Sequence, residues 1–146
     1  MILYLDTSAL VKLYAEEEGS DLVRQAVAGS DLIATSLMSY VETRSALARK
    51  GRSREISRAT LTRCRGEFDR DWVRLHRLAV DEALVRKAGE LAEERALRAL
   101  DALHLATAES LQAALGDAVT FACFDALLNG AAEARGLALL SRNQSS

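Results

Sequence analysis

Four acidic residues, Asp6, Glu42, Asp101 and Asp125, carry the chemistry this sequence offers. Asp6 directly follows the apolar run Ile2-Leu3-Tyr4-Leu5, and Asp125 directly follows a second apolar run that ends at Phe124. Glu42 falls in the first turns of a helix that comes after Leu32-Ile33-Ala34-Thr35, and Asp101 opens a mostly apolar helix. Asp6, Asp101 and Asp125 also stand at N-cap positions, where a carboxylate accepts from otherwise unpaired backbone N–H groups. Glu42 has no such use. Four residues after Met38 and four before Ala46, it projects from an apolar helical face, where an unpaired buried charge costs several kcal/mol. Either a cation meets it or that face is open to water.

Histidine, the usual general base, occurs only as His76 and His104, and His104, one turn beyond Asp101, reads as a core or rim histidine. There is no G-x-S-x-G elbow, no G-x-G-x-x-G and no Walker lysine. Carboxylates without a histidine team point to hard divalent cations, because Mg2+ and Mn2+ prefer oxygen ligands and clustered acids need compensation. The implied chemistry is metal-assisted hydrolysis of a phosphodiester.

The elements that position these acids follow from hydrophobic patterning. Short apolar runs at 2–5, 32–35 and 118–124, with a last one at 137–140, read as buried strands, and 72–80 alternates as a half-buried one. Between them, helical periodicity covers 9–15, 21–28, 38–49, 53–70, a stretch opened by Asp81-Glu82, 102–115 and a segment opened by Asp125 that stops at Gly136. Short apolar strands separated by helices predict an α/β protein, a three-layer α/β/α sandwich around a central, mostly parallel sheet. In such sheets ligands bind beyond the carboxyl ends of the strands, and all four acids converge on that edge.

With 146 residues the chain reads as one domain, 1–146, and the absence of Pro with only 8 Gly argues against a turn-dense all-β fold. Cys64 and Cys123 are too few for a disulfide framework and lack C-x-x-C spacing, so a reducing compartment is expected. No apolar run approaches the ~20 residues that span a bilayer, and the opening run reaches Asp6 too soon for a signal peptide, so the expected location is the cytoplasm, away from membranes. The net charge of −2 hides an asymmetry: from Arg44 to Arg77 eleven Lys or Arg face four acids, a balance of +7, so the remainder carries −9. Such a stretch is either a solvated helix surface or a face for a phosphate-rich ligand, with Arg44, Arg49, Arg52 and Arg54 as its candidate contacts. Tyr40 and Trp72 either stack on bases or fill the core.

Four ordered segments resemble a known family. Leu5-Asp6-Thr7-Ser8-Ala9-Leu10, then Ser39-Tyr40-Val41-Glu42-Thr43-Arg44-Ser45-Ala46-Leu47, then Leu100-Asp101-Ala102-Leu103-His104-Leu105-Ala106-Thr107-Ala108, and finally Phe124-Asp125-Ala126-Leu127-Leu128 are similar to the motifs of PIN-domain ribonucleases, above all the VapC toxins of toxin-antitoxin pairs. The resemblance runs from residue 2 to about residue 140. It implies a PIN-like fold and an Mg2+- or Mn2+-dependent endoribonuclease acting on RNA, inhibited by a VapB-type antitoxin and commonly homodimeric. It also implies that Asp6, Glu42, Asp101 and Asp125 occupy the four acidic positions, both catalytic and metal-holding, with Ser8 as a supporting hydroxyl. One departure is visible: Cys123 stands where the family often has Thr, and a thiol is a poor donor for ordering Asp125 or a water. The rival expectation is a non-catalytic binding module of the same fold, which would predict the loss of one or more acids.

Overall fold

Five short runs become strands: Ile2–Leu5 (β1), Leu32–Ser36 (β2), His76–Leu78 (β3), Val119–Ala122 (β4) and Ala138–Leu139 (β5). They form one sheet in the order β3-β2-β1-β4-β5, and every pairing in it is parallel. The structure, a computed structural model, describes residues 1–140, so the last part of the expected 1–146 domain lies outside the described residues. Seven helices are described: Thr7–Lys12 (α1), Ser20–Ala28 (α2), Ser39–Arg52 (α3), Arg58–Trp72 (α4), Glu82–Arg95 (α5), Ala99–Leu115 (α6) and Ala126–Ala134 (α7).

The two-residue period of a strand sends neighbouring side chains to opposite faces. In β1, Leu3 and Leu5 enter a core built with α1 to α4, where Leu10, Val23, Leu47 and Phe68 are buried; Tyr4 enters the opposite core with α5 to α7, against Leu105, Phe121 and Leu128. Helices therefore cover both faces, which is why the strands read as near-continuous apolar runs. The Tyr4 and Phe121 rings stack with centroids 5.6 Å apart, fixing β1 beside β4. The chain winds outward from β1 through β2 to β3, then returns through α5 and α6 to β4 on the other side of β1. That reversal opens a crevice beyond the carboxyl ends of β1 and β4, the place where open α/β sheets bind ligands.

Several boundaries move from their sequence-based expectation. The half-buried strand expected over 72–80 shrinks to β3, because Trp72 completes α4 and packs on Phe68. Helix α4 begins at Arg58, where Ser57 accepts from the Thr60 N–H, instead of at Ser53. Helix α1 starts at Thr7, two residues earlier than its apolar pattern indicates, because Asp6 caps it. Helix α6 also starts earlier, at Ala99, which moves Asp101 off the N-cap position and into the first helical turn. Gly116 closes α6 at φ +69, a left-handed backbone that favours glycine. The strand expected over 118–124 is β4 alone, and β5 is the inner part of 137–140.

Candidate active site

The end of β1 delivers Asp6. Its backbone N–H donates to the Ala122 carbonyl of β4 at 3.1 Å, which holds the residue in the crevice between the two strands. Its Oδ1 accepts from the Ala9 N–H at 2.9 Å and the Ser8 hydroxyl at 2.7 Å, so the cap and the supporting hydroxyl expected at Ser8 act on one carboxylate oxygen. Asp6 is only 5% exposed. Burial pushes its carboxyl above the usual range, opposed by His104 and the two hydrogen bonds and reinforced by Asp101.

Glu42 arrives from α3 through a hydroxyl lattice that ties β2 to β1. Thr35 Oγ1 donates to the Leu5 carbonyl at 2.7 Å and pairs with Ser39 Oγ at 2.7 Å, while Ser36 Oγ accepts from the Met38 N–H. These buried contacts set the start of α3, whose first turn carries Glu42, where a carboxylate also favours the helix dipole. Its partner is His104: the imidazole Nε2 lies 3.1 Å from Glu42 Oε1 and 3.2 Å from Thr7 Oγ1, and Nδ1 lies 2.8 Å from the Tyr4 hydroxyl. The face is thus partly buried and a histidine meets the acid, an interaction that sequence reasoning missed when it set His104 aside as a core or rim residue. The hint was its place one turn after Asp101 on an otherwise apolar helix.

Asp101, in the first turn of α6, accepts from Arg98 Nε at 3.0 Å through Oδ2. Asp125 is the N-cap of α7 and accepts from the Leu128 N–H at 2.9 Å through its own Oδ2, with Arg98 Nη2 3.8 Å from its Oδ1. Of the three expected caps, Asp6 and Asp125 are caps, while Asp101 faces the site. Arg98, exposed on the rim, spans Asp101 and Asp125. Cys123 does not leave this end loose: its thiol donates to Asn129 Oδ1 at 3.1 Å, the Asn129 amide returns a bond to the Cys123 carbonyl, and burial raises the thiol so that it stays protonated.

All four acids, with Ser8, Arg98 and His104, line one cavity of about 190 Å³. As the side chains stand, no three of the described His, Cys, Asp or Glu groups meet around a single ion position. Each carboxylate nevertheless has one oxygen bound by the protein and the other free of hydrogen bonds among the described residues. Four carboxylates with four spare oxygens, one of them deeply buried, fit a hard divalent cation in donor type and in charge.

A wider cleft of about 870 Å³ adjoins this cavity, sharing Thr7, Ser8, Glu42, Arg98 and Asp101 and running along α3 to Arg49 and Lys50. Of the four arginines expected to grip phosphate, Arg49 lines this cleft. Arg52 and Arg54 are exposed just beyond it, and Arg44 is turned away, its guanidinium held by the Tyr40 hydroxyl at 2.8 Å and by Asp69 at 3.5 Å. Tyr40 and Trp72 pack on Phe68, so both fill core.

The pattern of the PIN domain matches residues 3–121. Ribonuclease VapC49 of Mycobacterium tuberculosis is 33% identical over 136 residues, covering 92% of each chain, and Ribonuclease VapC46 of the same organism is 34% identical over 140 residues, covering 95% of this chain and 96% of its own. Among solved structures, VapBC2 from Rickettsia felis bound to a DNA fragment from its promoter superposes with a TM-score of 0.63 at 16% identity, over 95% of this chain and 97% of that one.

Proposed function

The chain belongs to the PIN-domain family, and from that premise we propose that it is a metal-dependent endoribonuclease, the toxin of a VapBC-type pair. The observation that carries this reading is that four carboxylates, from four separate elements, line one cavity at the crevice where the strand order reverses. A module kept only for binding has no use for four carboxylates gathered around one arginine in a single cavity.

Asp6, Glu42, Asp101 and Asp125 would hold Mg2+, or Mn2+ in its place, a group that when bound offsets charge on the phosphodiester and acidifies water. The protein's own part is orientation. Ser8 and the Ala9 N–H keep Asp6 Oδ1 occupied and leave Oδ2 for the cavity, and His104 does the same for Glu42. Arg98 supplies a positive group beside Asp101 and Asp125 that is exposed enough to turn toward a phosphate. Beyond the cavity, Arg49, Arg52 and Arg54 give the strand's phosphates a sequence-independent grip, while Arg44 stays on Tyr40 and Asp69. The same basic face suits an acidic segment of a VapB-type antitoxin, and a homodimer working in the cytoplasm completes the reading.

The test is cleavage of an end-labelled RNA pool by the purified chain, with and without Mg2+ or Mn2+, beside the Asp6→Asn variant. Metal-dependent fragments that vanish in the variant support the nuclease. Cleavage that persists in excess chelator, or in the variant, overturns it.

A further inference from the structure

Tyr4, Thr7, Glu42 and His104 come from β1, α1, α3 and α6, yet one imidazole touches the other three. Tyr4 is fully buried and His104 is 2% exposed, so neither ring exchanges its partners for bulk water. At 3.1 Å from a carboxylate oxygen, an imidazole nitrogen must carry hydrogen, because two facing lone pairs at that distance repel. Nε2 therefore carries the proton and donates to Glu42, with Thr7 Oγ1 at 3.2 Å as a second acceptor. The ring's other nitrogen, Nδ1, lies 2.8 Å from the Tyr4 hydroxyl, which anchors the imidazole from the core side.

We infer that His104, anchored through Nδ1 by the Tyr4 hydroxyl, is a positioning residue whose Nε2–H sets the Glu42 carboxylate for the acid cluster. The geometry gives it reach over three of the four acids. It binds Glu42 directly, it binds the residue that follows Asp6, and it rides on α6 one turn from Asp101. Holding Glu42 by Oε1 leaves Oε2 to the cavity, as Ser8 and Ala9 leave Oδ2 of Asp6. Partners behind metal ligands act in this way elsewhere, and their removal typically costs 10–100-fold in metal affinity. This assignment rests on the reading of the four acids as a metal site.

Two measurements separate it from a merely packed histidine. Long-range 1H–15N NMR of the metal-free protein reads imidazole tautomers directly, and with only two histidines in the chain, His76→Gln assigns the spectrum. His104 is expected with Nε2 protonated, a state that becomes a mixture in Tyr4→Phe, which keeps the ring stack on Phe121 and deletes only the hydroxyl. Mn2+ titration followed by EPR of the free ion is expected to show about 10–100-fold weaker binding in His104→Leu, with most of the loss recovered in His104→Gln, whose amide still donates. An Nδ1–H tautomer in the wild type overturns the assignment, as does a folded His104→Leu that binds Mn2+ like the wild type. A wild type that binds no Mn2+ overturns the metal reading of the cluster, and the NMR result then decides His104 alone. If His104→Leu fails to fold, Tyr4→Phe carries the test by both readouts.

Discussion

Asp6→Asn should stabilise the metal-free protein and remove its response to metal. The substitution keeps shape and cap, since Asn serves as an N-cap about as well as Asp, and its amide oxygen can still accept from Ser8 and from the Ala9 N–H. What it removes is a negative charge that is 5% exposed and surrounded by Glu42, Asp101 and Asp125. Burial is the main penalty on that charge, with repulsion from Asp101 added to it, and burying an incompletely paired carboxylate costs about 3 kcal/mol. Weakening two charge-assisted hydrogen bonds gives back about 1–2 kcal/mol. The net gain is about 1–2 kcal/mol, or about 3–6 °C in Tm for a chain of this size. Saturating Mn2+ should reverse the order, because a ligand at 100 times its Kd stabilises the folded wild type by about 2.7 kcal/mol.

The pH dependence has a definite sign. Burial raises the Asp6 carboxyl in the fold above its unfolded value. The protonated form therefore favours folding below the unfolded pKa, and that contribution is lost as pH rises through the folded one. Wild type and Asp6→Asn should accordingly converge in acid and separate on approaching neutrality. Scanning fluorimetry in EDTA and in Mn2+ across pH measures all of this. A variant less stable than wild type in EDTA at neutral pH would refute the charge argument and make Asp6 a structural cap first.

Ser8→Ala removes the 2.7 Å bond to Asp6 Oδ1 and leaves only the Ala9 N–H to orient the carboxylate; Mn2+ affinity by EPR should fall about tenfold while Tm moves by only a few degrees. Combining Arg49→Ala, Arg52→Ala and Arg54→Ala should weaken RNA binding and lower the salt slope by about one for each phosphate no longer gripped, whereas Arg44→Ala, whose guanidinium already pairs with Asp69, should change the slope little; fluorescence anisotropy at several salt concentrations compares them. Gly19→Ala should destabilise by about 1–3 kcal/mol, since Gly19 sits at φ +93 and an added Cβ would lie 2.8 Å from the Phe124 ring, and a urea midpoint measures the loss.

Much of this protein was legible along the chain because its signals are local. Runs of four or five apolar residues mark strands covered on both faces, and Gly29, Gly116 and Gly136 mark where the helices before them stop. An acid that closes an apolar strand-forming run stands at the carboxyl edge of the sheet, so the placement of Asp6, directly after β1, and of Asp125, shortly after β4, needed no knowledge of distant partners. The misreadings have two physical causes, local caps at Asp6 and Ser57 that set helix starts away from the apolar pattern, and packing that periodicity cannot see. Trp72 joined α4 instead of a strand because Phe68 and Tyr40 pack on it, and Asp101 entered the first turn of α6 once that helix began at Ala99.

The residue types and their order determined an α/β fold and four acids fit for a divalent cation. Only the folded chain decided how those acids are held. Tyr4 and His104 lie 100 positions apart in sequence, and their hydrogen bond exists because β1 pairs beside β4 while α6 packs across the same face. Arg44 and Arg49 look alike in sequence, yet one is bound by Tyr40 and Asp69 and the other lines the cleft. Burial and through-space partners set the charge, direction and availability of a side chain, and those come only with tertiary packing.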